Sequence, residues 1–214
     1  MKPRPLSPAP LAGITACLAS ALAAHWGSLP AWVFATVAVS AGLRLLLAHR
    51  GRTAPPRGVR LIISLLAIAL LYLQFRTFNG LSAGTALLAL MAGLKLLETD
   101  TQRDLYVVTL LIYFVCVAAL LQSDSFWLLA YLIGVCWLTT ATLLRLTTTQ
   151  PAPGWRPSLR YAGRLLAQAL PLALVFWLLF PRFAAPLWQI PGSAQRAESG
   201  LSESMSPGEI TELA

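Results

Sequence analysis

Residues 61–73 read LIISLLAIALLYL, and this stretch decides the fold. Leu, Ile, Ala and Tyr occupy every helical face, broken only by Ser64, whereas a soluble helix of this length would carry a polar stripe. Moving outward, such stretches of 16 to 19 residues recur about seven times, separated by short arginine-bearing hinges. About 20 apolar residues at about 1.5 Å each span a hydrocarbon core of about 30 Å. The sequence therefore reads as an all-α, polytopic transmembrane helical bundle. The expected spans are about 11–26, 31–48, 59–76, 81–98, 105–122, 126–144 and 163–180.

Composition points the same way. Hydrophobic residues make up 57% of the 214, charged residues only 11%, and the mean hydropathy is +0.69; soluble domains carry about 25% charge. A net charge of +8 in a soluble protein would suggest nucleic acid. Here the basic residues sit in membrane-flanking hinges, which excludes that class and leaves the lipid bilayer as the partner.

Those hinges also orient the chain. With the N-terminus in the cytoplasm, thirteen of the sixteen Lys and Arg fall on the inner side and only Arg76, Arg182 and Arg196 on the outer side. The positive-inside bias then sets the N-terminus in and the C-terminus out. Trp26, Trp32, Phe78, Trp127 and Trp188 fall at outer ends, and Tyr106, Trp155 and Tyr161 at inner ends, as headgroup-seeking rings should. Trp137 and Trp177 lie deeper and read as packing residues.

The first span admits two readings. Lys2 and Arg4, an apolar run from Leu11 and then Ala21-Leu22-Ala23 resemble a signal peptide. Against cleavage stand two rows of small residues at four-residue spacing, Ala12/Ala16/Ser20/Ala24 and Ala9/Gly13/Cys17/Ala21. Such rows let helix backbones approach closely in lipid, and Gly80 and Gly84 make a similar pair opening the fourth span.

The hinges differ in character. HRGRTAPPRGVR (49–60) is a Gly- and Pro-broken loop, and the 145–164 hinge repeats the pattern with Pro151, Pro153, Gly154 and Pro157. KLLETDTQRD (95–104) instead places Lys95 and Glu98 on one helical face and offers Thr101 and Asp104 as a capping box for the fifth span. With Arg103 the group reads as a capped, snorkelling turn at the inner interface, or alternatively as an ionic latch joining the fourth and fifth spans. Pro171 inside the seventh span predicts a kink, with Gln168 near the opened backbone. Beyond Pro181 and Arg182 the composition turns acidic. Ser206-Pro207-Gly208-Glu209 reads as a helix start, with Ser as cap and Pro in the first turn. Residues 1–181 thus form a membrane domain, and 182–214 an extramembrane tail that opens a soluble domain missing from, or truncated in, this chain.

Three phrases carry a family resemblance: GLSAGTALLALMAGLKLLETDTQRD, QALPLALVFWLLFPRFAAPLW and GLSESMSPGEITELA. They resemble the N-terminal membrane region, a domain of unknown function, of bacterial transglutaminase-like proteins of the TgpA type. The resemblance implies an inner-membrane location, a periplasmic tail and an attached papain-like transglutaminase domain as partner. In that domain a Cys-His-Asp site attacks a glutamine carboxamide through a thiolate.

No such site is expected within these residues. Cys17, Cys116 and Cys136 all fall in apolar spans, where a thiol stays protonated and inert. His25 and His49 flank the second span, about 27 Å apart at helical rise, so neither a Cys–His nucleophile nor a metal site is read here, and no cofactor is implied. The function expected is an anchor and interaction module for the attached domain. An independent transporter or lipid-handling protein is the alternative, and transport would call for ionisable residues at mid-membrane. Arg44, Arg76 and Lys95 each lie near a span end and are expected to snorkel; Ser40, Ser64, Thr85, Thr109 and Gln168 are the uncharged polar groups left inside.

Overall fold

The computed structural model describes residues 8–76, 80–123, 125–147 and 154–179. Among them lie seven α-helices: α1 (Pro8–Ala23), α2 (Ala31–His49), α3 (Arg57–Phe75), α4 (Leu81–Glu98), α5 (Gln102–Leu120), α6 (Phe126–Thr147) and α7 (Trp155–Leu179). Helices α2 to α6 are long and apolar enough to cross a membrane, and α1 is a shorter apolar helix.

Punctuation in the sequence sets the boundaries. Pro30 and Pro56 precede α2 and α3, Gly80 caps α4 at φ 115°, and Thr101 caps α5. Proline suits a helix start because its missing N–H would have no intrahelical partner there. At the end of α2, Gly51 takes φ 65° while its N–H donates to the Ala48 carbonyl and that of Arg52 to the Leu47 carbonyl. Glycine closes the helix here because a β-carbon would be strained at that φ. The 145–164 hinge is shorter than expected. Helix α6 continues to Thr147 and α7 begins at Trp155, so Arg156, Arg160 and Arg164 ride on α7, with Pro157 tolerated in its first turn.

The chain divides into two units, Met1–Ala169 and Leu170–Ala214. In the first, α4 packs against α2, α3 and α5, and α1 packs against α2, α5 and α6. Half of the α4 span is buried (50%), against 11% for α3, which packs on α4 alone among its substantial neighbours. Hydrogen bonds also join helices along the bundle: Tyr113 Oη lies 2.8 Å from Thr140 Oγ1, and Tyr131 Oη donates to the Ser20 carbonyl at 2.8 Å. Trp137, exposed rather than packed inside, donates from Nε1 to the Leu159 carbonyl at 2.8 Å. Of the second unit, residues 170–179 are described; they are the apolar end of α7, and α7 runs on through Pro171 as helix.

Of the two small-residue rows in α1, one packs. Cys17 and Ala21 are buried and a β-carbon at Gly13 would meet Thr142 Cγ2 of α6 at 3.1 Å, whereas Ala12 and Ala16 are exposed. The Gly80/Gly84 expectation fails. Gly80 is a turn residue, and nothing lies within 4 Å of a β-carbon built at Gly84. The close approach belongs to Gly93, whose β-carbon would fall 2.7 Å from Val37 Cγ2 and 3.1 Å from Val37 Cα. There α2 and α4 touch backbone to backbone, the contact that small residues permit.

Candidate functional site

The charged residues gather where α2 ends, α3 begins and α4 passes into α5. The link between α4 and α5 is three residues long, so its turn is fixed by its own side chains. Thr101 accepts the Asp104 N–H at 3.3 Å, and Asp104 Oδ2 accepts the N–H groups of Thr101 (3.0 Å) and Asp100 (3.3 Å) and the Thr101 hydroxyl (2.7 Å). This is the capping box expected from the sequence, completed in both directions. It leaves Asp104 Oδ1 to Lys95, 3.0 Å away on α4. Lys95 also lies 3.5 Å from Glu98 Oε2, and Glu98 Oε1 takes Arg60 of α3 at 3.0 Å.

Behind this half-exposed layer sits Arg44 of α2, fully buried. Its Nε donates to the Thr99 carbonyl at 2.7 Å and its Nη2 lies 3.5 Å from Asp100 Oδ1. Thr99 is buried as well and donates its hydroxyl to the Lys95 carbonyl at 2.8 Å. Asp100 Oδ1 further accepts the Ala54 N–H at 2.7 Å, pinning the α2–α3 loop. Gln102 donates to the Leu146 carbonyl at 3.0 Å and so reaches the last turn of α6. Five helices meet in one junction.

Arg44 does not snorkel. Five residues from the end of α2, it turns into the protein, toward Asp100 and the Thr99 carbonyl. An unpaired charge in hydrocarbon costs several kcal/mol, so the guanidinium requires these acceptors. Its Nη1 and Nη2 make no hydrogen bond among the described residues, which leaves the ion pair to Asp100 and the Nε bond to carry the charge.

Of the residues singled out from sequence, Lys95, Glu98 and Asp104 come together and Arg103 stands apart, exposed. Pro171 lies within α7. Pro181, Arg182, Ser206, Pro207, Gly208 and Glu209 lie outside the described residues. Sequence reasoning missed Arg60, Thr99 and Asp100, and the burial of Arg44. A lone arginine in LRLLLAH was the available signal, but its acid lies on the far side of two intervening helices in the chain.

A second polar chain occupies the opposite end. His25, buried in the turn after α1, donates from Nε2 to the Val115 carbonyl at 3.0 Å, and its Nδ1 lies 3.3 Å from Gln122 Oε1. Gln122 Nε2 donates to Thr85 Oγ1 at 2.8 Å, and Thr85 donates to the Leu81 carbonyl at 2.7 Å. The thiols stand elsewhere: Cys17 Sγ lies 3.5 Å from Thr142 Oγ1, and Cys116 is buried as a free thiol. Neither group brings a histidine to a thiol. The charged junction therefore has the means to hold helices together and to present cations at one face, and its carboxylates are already engaged by cations, hydroxyls and backbone N–H groups.

The family model of the TgpA N-terminal domain matches residues 13–214. This chain belongs to that family. Among curated relatives, a protein-glutamine gamma-glutamyltransferase of Pseudomonas aeruginosa is 39% identical over 190 residues. The match covers 88% of this chain and 28% of that relative, so the chain spans little more than a quarter of the relative's length. No solved structure matches it. The TgpA-type resemblance carried by 80–104, 168–188 and 200–214 is thereby established, and with it an all-helical fold rich in membrane-length segments.

Proposed function

We propose that this chain is the membrane module of a transglutaminase-like protein, holding a catalytic domain at the outer face of a bacterial inner membrane. The observation that carries the reading is the family match together with the 28% coverage of a protein-glutamine gamma-glutamyltransferase. A relative with that activity has most of its length beyond the shared region, and five helices of membrane length supply the anchor. In this reading residues 1–181 are the membrane domain, and 182–214 lead outward to a domain in which a cysteine thiolate attacks a glutamine side chain.

The distribution of charge supports anchoring over transport. Arg44, Arg60, Lys95, Glu98, Asp100 and Asp104 pair with one another at one end of the bundle, and Arg44 is held there rather than lining a path through the middle. The positive-inside bias makes that end cytoplasmic. Fusions test the orientation. Alkaline phosphatase joined after Ser193 is active and green fluorescent protein joined after Thr53 fluoresces; phosphatase activity at Thr53 with none at Ser193 contradicts the reading.

A further inference from the structure

A groove of about 450 Å³ runs between α3 and α4, beginning at the charged junction and descending along the apolar span. Arg57, Arg60 and Lys95 stand at its charged end with Glu98, and Leu61, Ile68 and Met91 line the rest. From Arg57 to Ile68 is eleven residues, about 16 Å at helical rise, which is the depth of one leaflet of a core about 30 Å thick. The groove thus joins a cationic mouth to an apolar channel of leaflet length.

Three cations face one carboxylate at that mouth. Glu98 is shared by Arg60 and Lys95, and Lys95 is shared in turn with Asp104. Arg57 is exposed and makes no ion pair among the described residues, while Arg60 Nε is buried without an acceptor among them. The apolar walls are open as well: Leu61 is 63% exposed and Met91 52%. Because α3 packs on α4 alone among its substantial neighbours, nothing else in the described bundle covers this face.

We infer that the α3–α4 groove binds one anionic phospholipid, with its phosphate between Arg57 and Arg60 and an acyl chain along Leu61, Ile68 and Met91. Charge complementarity selects the headgroup, and groove length and polarity select a lipid over a free anion. Basic pockets between membrane helices hold anionic headgroups through the same combination. The inference goes beyond the anchoring role and does not depend on which way the chain is oriented.

The purified 214-residue chain is measured by native mass spectrometry from mixed micelles containing equal phosphatidylglycerol and phosphatidylcholine. One phosphatidylglycerol per chain is retained in preference to phosphatidylcholine. Arg57→Gln lowers that preference about fivefold, the factor for removing one basic residue's attraction of about 1 kcal/mol to an anionic surface. Its melting temperature in phosphatidylcholine is unchanged, because Arg57 holds no ion-pair partner among the described residues. Met91→Trp keeps every cation but fills the channel, and it abolishes selective retention. Equal retention of the two lipids overturns the proposal, as does undiminished retention in Arg57→Gln. Retention unaffected by Met91→Trp means a surface cation patch without a groove, and a dimer mass with no bound lipid means that a second copy covers α3; either result also overturns it.

Discussion

At one end of the bundle Arg44, Arg60, Lys95, Glu98, Asp100 and Asp104 tie the helices through charge; at the other, His25, Gln122 and Thr85 do so through hydrogen bonds with no ion pair among the described residues. Both ends must satisfy polar groups next to an apolar core. The charged end carries Arg44, which is fully buried and needs a partner inside the protein. The other end contains a turn and two helix termini, whose needs are met by amide, hydroxyl and imidazole groups. The difference predicts unequal costs. Losing a neutral partner forfeits hydrogen bonds, whereas losing Asp100 strands a buried charge.

Replacing Asp100 with Asn should therefore have the largest effect. It leaves Arg44 buried without its counter-charge, a loss of about 3–5 kcal/mol by the general cost of breaking buried pairs. Thermal unfolding of the purified chain in detergent measures it, and a melting point equal to wild type would erase the contrast between the two ends.

His25→Leu comes next. The volume is roughly kept, but Gln122 and the Val115 carbonyl lose a partner, at about 1–3 kcal/mol for an unsatisfied buried group. A loss exceeding that of Asp100→Asn would reverse the ranking.

Glu98→Gln should cost least. Glu98 is 48% exposed, and pairs of this kind contribute about 0–1 kcal/mol. The exchange Lys95→Glu with Glu98→Lys tests whether the small loss arises from that pair. The exchange also sets a second carboxylate beside Asp104, so only partial recovery is expected. Raised salt should shrink the Glu98 effect by screening while leaving that of Asp100 nearly intact.

Much of this architecture was legible in the sequence, and what was not shares a cause. Apolar length located all seven helices, and Thr101 marked the start of α5. The Thr101–Asp104 box and the Lys95–Glu98 pair were readable because their partners are three residues apart, within one helical turn. Arg44 with Asp100 was not, since which acid faces an arginine depends on how α2 lies against α4. The packing glycine was misplaced for the same reason. Four-residue spacing singled out Gly80 and Gly84, but the close approach is set by where Val37 of α2 meets α4, at Gly93. Helix α7 begins earlier than expected because three prolines around residue 154 suggested a long hinge, while Pro157 is compatible with a first turn.

The central claim is that the buried arginine is held by its acid and that this pair locks the helices together. A double-mutant cycle tests it most directly, with Arg44→Met, Asp100→Asn and the two combined, each unfolded thermally in the same detergent. The account predicts that each single change destabilises strongly and that the pair together recovers most of the loss, with a coupling of about 2 kcal/mol or more. Losses that simply add, or an Asp100→Asn variant as stable as wild type, would contradict it.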